Sequence, residues 1–313
     1  MPDPLPSWND TPNTRAILEF VAAATDESGP RYRPPVDRLA TFDNDGTLWC
    51  EQPMAQGIFV MNKLATMAEA DSSLRARQPY KAALEHDTAW VGRAMTKHYD
   101  GDSADLKALF AAALQASMVT VEEFALDVEE FFRTARHPKY NVSFLETTYL
   151  PMVELLDYLR ANDFACLMTS GGGRDFLRPI AEQLYSMTSD QVIGSGVEVE
   201  FKADDDGAHL VRTGGLDFLD DGPGKPIHIW NRTGRRPIMA AGNANGDIPM
   251  LQYATAQQGL TLGMLVHHDD DVRDIAYDAG GEEAFPTAAE NGWLVISVKD
   301  DWNQVYSFQE NSQ

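Results

Sequence analysis

The chain has 313 residues, 43% hydrophobic and 23% charged, enough to bury the core of one large domain or two modest ones. Its 48 acidic and 25 basic residues leave a formal charge of −23, which argues against nucleic acid or an anionic membrane surface as a partner. No apolar run nears the roughly 18 residues a membrane span needs. Met1 to Trp8 lack the basic and apolar regions of a signal peptide, so the expectation is a cytoplasmic protein, with an exported form left open.

Residues 13–24 read as a helix with Ile17, Leu18, Phe20 and Val21 on one face. A Gly/Pro-rich loop over 27–35 precedes a short buried strand over 38–42. That strand opens the run Leu39-Ala40-Thr41-Phe42-Asp43-Asn44-Asp45-Gly46-Thr47-Leu48. Here an apolar, β-prone segment ends abruptly in two carboxylates spaced i, i+2. Acids at the tip of a buried strand cost desolvation energy unless something pairs with them. A cation such as Mg²⁺ pairs with them and leaves one carboxylate placed for attack.

From residue 52 the composition turns helical, with helices predicted over 58–70, 80–97, 104–116 and 121–135. Thr120 and Glu123 form a capping-box pattern at the start of the last one. The α/β rhythm then resumes. A helix over 151–161 leads to a continuous apolar strand over 164–168, and Gly171-Gly172-Gly173 turns it into a helix over 175–185. Residues 192–212 read as a β-hairpin, followed by helix 227–232, strand 237–241, helix 248–256 and strands 260–266 and 293–298. Alternating order implies an α/β fold with a parallel, doubly wound sheet, whose site lies beyond the strand carboxyl ends. Cys50 and Cys166 form no Cys-x-x-Cys pair and read as buried free thiols.

Four features fall at strand ends. They are Asp43 with Asp45, the turn Thr169-Ser170-Gly171-Gly172, Lys225 in a loop before a helix, and Gly242-Asn243-Ala244-Asn245-Gly246-Asp247. Hydroxyls and free N–H groups at a strand-to-helix turn cradle phosphate. An acid pair, a phosphate cradle, a cation and a further acid are the parts of a phosphoryl-transfer site.

In this order the four motifs resemble the haloacid dehalogenase superfamily of phosphohydrolases, and most closely its phosphoserine-phosphatase-like branch. The resemblance implies a Rossmann-like core over 1–51 and 136–313, with a helical cap of the C1 type inserted over 52–135. It also implies a Mg²⁺-dependent phosphomonoester hydrolase acting on small phosphorylated metabolites, with Asp43 as nucleophile. Asp45 is then the acid/base and lends its carbonyl to the metal. Ser170 and Gly171 hold the phosphoryl group, with Thr169 as the alternative hydroxyl; Lys225 neutralises charge, and Asp247 belongs to the metal site. A phosphoserine phosphatase, a phosphotransferase and a catalytically impaired binding protein share the same motifs.

Asn243 departs from the family, which usually has an acid there; an amide still offers a carbonyl oxygen to Mg²⁺. Glu51, eight residues after Asp43, either reads a substrate amine or is a plain surface acid at the hinge. Of His267 and His268, adjacent on a strand and pointing opposite ways, one is a candidate to line the cleft. Trp49, Phe59 and Trp90 read as packing residues. Oligomeric state is not legible.

Overall fold

Every residue of β1 (Leu39–Phe42) is buried, because the strand lies between two others and both of its faces are covered. It pairs in parallel with β2 (Ala165–Gly173) on one side and β5 (Met239–Gly242) on the other. A strand so placed must be apolar throughout. Its single hydroxyl, on Thr41, is satisfied by Thr169 Oγ1 of β2 at 2.7 Å.

The computed structural model describes residues 3–87, 89–99, 104–205 and 207–309. Its helices in chain order are α1 (Pro12–Thr25), α2 (Ala55–Ala70), α3 (Tyr80–Leu84), α4 (Ala89–Tyr99), α5 (Ala104–Ala116), α6 (Val121–Thr134), α7 (Leu150–Ala161), α8 (Arg174–Tyr185), α9 (Gly224–Thr233), α10 (Ile248–Thr255) and α11 (Ala284–Asn291). Among the described residues, no helix is long and apolar enough to cross a membrane. The chain divides into two compact units.

The first unit comprises Met1–Gln52, Arg136–Ser195 and Leu219–Gln313. Beside β2 runs the start of β3 (Val192–Asp204), and β6 (Leu262–His267) and β7 (Leu294–Ser297) extend the sheet beyond β5. The resulting order, β3-β2-β1-β5-β6-β7, is parallel throughout. The chain winds outward from β1 to β3 on one side and from β5 to β7 on the other. The boundary between β1 and β5 is therefore a topological switch point, where ligands of doubly wound sheets bind. Leu39, Leu167, Ala240 and Leu265 of the strands share a core with Ile229, Leu251 and Ala288 of the helices. Cys50 and Cys166 are free and buried here, and burial pushes each thiol up to about 12. Neither is a reactive thiolate near neutral pH.

The second unit comprises Pro53–Ala135 and Gly196–Phe218. Met61, Leu64, Tyr80 and Trp90 form its buried cluster, and Phe59 packs edge-on against Phe124 and Phe131. The capping box at α6 is present, with Thr120 and Glu123 each bonding the other's N–H.

Two expectations need correction, and one helix had no expectation. The predicted helix over 80–97 is two helices, α3 and α4, because His86 turns the chain with φ of +53°; residue 88 lies outside the described residues. The hairpin segment Gly196–Phe218, assigned from sequence to the core over 136–313, groups with the helices of 53–135. Its second strand, β4 (Gly207–Phe218), explains why. Arg212 donates its N–H to Val119 O at 2.9 Å and Nε–H to Ser117 O at 3.1 Å, and its guanidinium lies 3.8 Å over the Phe124 ring. The helix α11 was missed: Pro286 hides its weak apolar face, and only Gly292, left-handed at φ +68°, signals its end.

Candidate active site

Parallel strands open their carboxyl ends onto one edge, so the three central strands deliver side chains to the same place. β1 delivers Asp43, whose N–H bonds to Ala241 O of β5 at 2.9 Å. β2 brings Ser170, and β5 leads into Asn243 and then Asp247, which caps α10. Strand alternation separates the two hydroxyls of β2. Thr169 is buried against Thr41, whereas Ser170 Oγ accepts the Gly172 N–H at 3.0 Å and reaches Asp45 Oδ2 at 3.4 Å. Ser170 is the hydroxyl that faces the acids, and Thr169, the alternative from sequence, is turned into the sheet. Gly171, next along, is exposed.

Lys225 corrects the sequence reading. It sits in the first turn of α9, not in a loop, and is only 2% exposed. Its Nζ donates to Asp43 Oδ1 at 2.6 Å and to Asp247 Oδ1 at 2.5 Å. The other Asp247 oxygen accepts the N–H groups of Asn243 and Ala244 at 2.9 and 3.0 Å, which fixes the loop after β5. Asp43 Oδ2 accepts no hydrogen bond among the described residues.

Burial, then repulsion from Asp247, pushes the Asp43 carboxyl well above the ordinary carboxylate value, with Lys225 pulling the other way. Burial also raises Asp45, although Trp49 Nε1–H donates to its Oδ1 at 2.9 Å. Burial disfavours the charge on Lys225, but attraction from Asp247 and Asp43 outweighs it and holds the ammonium protonated. The site is therefore short of positive charge.

Comparison with known proteins fits this geometry. The family described as haloacid dehalogenase-like hydrolase matches residues 40–252, spanning β1 through α10. The chain belongs to the haloacid dehalogenase-like hydrolase family. No curated protein matches it in sequence. A conserved functionally unknown protein from Anaerococcus prevotii DSM 20548 is similar over 95% of this chain and 94% of its own, at 16% identity and a TM-score of 0.55. A protein with unknown function from Bordetella pertussis Tohama I is similar over 83% of this chain and 97% of its own, at 16% identity and a TM-score of 0.50. Identities this low speak to the fold alone.

Among the described residues, no three His, Cys, Asp or Glu side chains converge as a ready-made metal cluster. Mg²⁺ does not require one, since one or two carboxylates plus waters and substrate phosphates suffice. The buried Asp43 carboxylate, in surroundings short of positive charge, fits such an ion, and the Asn243 amide adds a second hard oxygen donor.

The haloacid dehalogenase-like core also gives site contacts to Trp49, read from sequence as packing, to His268, one of two histidine candidates, and to Tyr277 and Asp274, which sequence reasoning missed. Trp49 fixes Asp45, as noted above. His268 Nε2 lies 2.7 Å from Gly46 O; a carbonyl only accepts, so Nε2 carries the proton. Its Nδ1 faces Asp274 Oδ2 at 3.0 Å. His267 points away, to Asp278 Oδ1 at 2.9 Å, as alternation requires. Tyr277 stacks on His268 with ring centroids 4.6 Å apart and donates its hydroxyl to Glu51 Oε2 at 2.7 Å. Glu51 is thereby held near the Asn243 amide, its Oε2 3.4 Å from Nδ2. These partners lie more than 190 residues apart in the chain, and no local pattern announces them.

Gly46 is the hinge of this arrangement. Its φ is +77°, and a Cβ there would lie 2.7 Å from Asn243 Cγ and 2.7 Å from the Tyr277 hydroxyl. Gly46→Ala is expected to destabilise the protein by roughly 1–3 kcal/mol and to reduce activity sharply. Denaturant unfolding checks this, and an unchanged midpoint would contradict the close packing described.

Asp220 anchors α9, the helix that carries Lys225. It is fully buried, bonds His228 Nδ1 at 2.7 Å through Oδ1, and leaves Oδ2 without a partner among the described residues. Burial raises its carboxyl to about 6. The fold thus favours the protonated form. That stability is full below the unfolded value of 3.8 and is lost as pH rises through about 6. The melting temperature of Asp220→Asn, measured against wild type, should therefore shift in the variant's favour by a few degrees between pH 4 and pH 7.5. A pH-independent difference would refute the buried-acid account.

Proposed function

We propose that this haloacid dehalogenase-like hydrolase is a phosphatase that cleaves small phosphate monoesters through an aspartyl-phosphate on Asp43. The observation that carries the reading is the buried Lys225 ammonium. It binds one oxygen of Asp43 and one of Asp247 while the second Asp43 oxygen stays unbonded. An oriented carboxylate oxygen with no partner is what in-line attack on phosphorus requires.

In the first step Asp43 Oδ2 attacks phosphorus and the ester oxygen leaves, taking a proton from Asp45. Burial raises the Asp45 carboxyl, the direction that favours its carrying that proton. In the second step Asp45 accepts a proton from water as the water attacks phosphorus, which frees phosphate and restores Asp43. Ser170, Gly171 and Lys225 hold and neutralise the phosphoryl oxygens. Asp247 holds the loop and the lysine in register. Asp43 and Asn243, with the Asp45 carbonyl, are the groups to hold Mg²⁺, which when bound screens the negative charge that attacking and transferred groups share. The inserted helical unit is read as a cap domain.

Release of phosphate from p-nitrophenyl phosphate tests the reading. Wild type with Mg²⁺ is expected to turn over, Asp43→Asn to be inactive with its fold intact, and Asp45→Asn to be slower by roughly 10²–10⁴-fold. Absence of turnover by wild type at any Mg²⁺ concentration would favour a binding protein on the same fold. Wild-type rates in Asp43→Asn would remove Asp43 as nucleophile.

A further inference from the structure

Glu51 is the carboxylate at the strand ends that the mechanism above leaves without work. It follows the acidic loop by a few residues and lies half-buried, close enough to Asp45 and Asp247 to be repelled by both. Its hydrogen-bond partners among the described residues are the Tyr277 hydroxyl at 2.7 Å and Asn243 Nδ2 at 3.4 Å, both to Oε2. Neither is charged. An anion that no Lys or Arg pairs among the described residues is disfavoured twice, by desolvation and by repulsion from Asp45 and Asp247, with only His268 behind Tyr277 pulling the other way.

The surrounding structure nevertheless holds it there firmly. The Tyr277 ring lies nearly parallel to His268, at 9°, and His268 is tied at one nitrogen to Asp274 and at the other to Gly46 O. Asp274 is itself buried and bonded by the Tyr306 hydroxyl at 2.5 Å. Rotating Glu51 away from Asn243 therefore means breaking its bond to a tyrosine that cannot follow. Asn243 is equally constrained, because Thr47 Oγ1 donates to its Oδ1 at 3.2 Å and Asp247 fixes its N–H. A clamped carboxylate against a clamped amide, close to the Asp45 and Asp247 carboxylates, is stable when a cation completes the group.

We propose that Glu51 is the anionic partner of Asn243 in the divalent-cation site. The amide contributes a neutral oxygen, and Glu51, held by Tyr277, contributes the negative charge that an amide lacks. Glu51 is thus a positioning residue for the cation, not a reader of substrate. This deepens the phosphatase reading and rests on its cation.

Calorimetric titration of the full chain with MgCl₂, without substrate, tests it. Glu51→Gln is expected to raise the Mg²⁺ dissociation constant by roughly tenfold or more, the range typical of residues behind metal ligands. The double variant Glu51→Gln/Asn243→Asp, which returns the charge at the neighbouring position, is expected to recover most of that loss. Tyr277→Phe keeps the charge but releases the clamp, and should weaken binding severalfold; it carries the test if Glu51→Gln does not fold. Equal affinity in wild type, Glu51→Gln and Tyr277→Phe would overturn the proposal while leaving the phosphatase reading in place. So would loss of affinity in Glu51→Gln that Asn243→Asp does not repair. Failure of wild type itself to bind Mg²⁺ would overturn both.

Discussion

The buried bridge from Lys225 to Asp43 and Asp247 is the interaction on which the rest depends. Three charged groups are withdrawn from water, and removing the lysine leaves two buried carboxylates uncompensated, at a cost of several kcal/mol. The bridge joins β1, α9 and the start of α10, elements that are distant in sequence. It fixes one oxygen of Asp43 and so decides which oxygen is free. It also leaves a deficit, because Asp45 and Glu51 add carboxylates with no further Lys or Arg to pair them among the described residues. On the proposed reading, a proton on Asp45 and a divalent cation close that deficit.

The same deficit bears on the net charge of −23, which is ill suited to an anionic substrate. Charges farther away than about 8 Å are largely screened at physiological salt. On the proposed reading, what a phosphate meets is local: the Lys225 ammonium, Ser170, and a cation at Asp43. The nine residues from Asp43 to Glu51 concentrate this chemistry. Within them, Gly46 N–H bonds Trp49 O at 2.9 Å and Leu48 N–H bonds Asn44 O at 2.8 Å, a tight turn that brings the Trp49 indole back onto Asp45.

How much of this was legible in the sequence follows from where the physics is local. A buried parallel strand must be apolar and its carboxyl tip may be polar, so Asp43, Ser170 and Asn243 stood out at the ends of apolar runs. Strand alternation, also local, explains why Ser170 and not Thr169 faces the acids, but the register of β2 against β1 is needed to choose between them. Lys225 could be named as a cation but not placed on a helix, because Gly222, Pro223, Gly224 and Pro226 around it carry turn signals. His268 was one of two histidine candidates, and Trp49 was read as packing although its bond to Asp45 spans only four residues; Tyr277 and Asp274 could not be found, since each acts through contacts made only when distant segments meet. The hairpin of β3 and β4 was placed with the wrong unit for the same reason: its attachment to the helices runs through Arg212 against Phe124, a pairing no sequence period encodes.

The claim that Asp43 is the attacking group is tested most directly by chemical trapping. Protein mixed with substrate and Mg²⁺ is quenched in acid, reduced with borohydride and digested for peptide mass spectrometry. Borohydride converts an acyl phosphate to an alcohol, so an aspartyl-phosphate is read as homoserine in place of aspartate. The account predicts homoserine at position 43 and at no other acid. Phosphate release with position 43 unreduced, or with the reduced residue at Asp45 or Asp247, would contradict it.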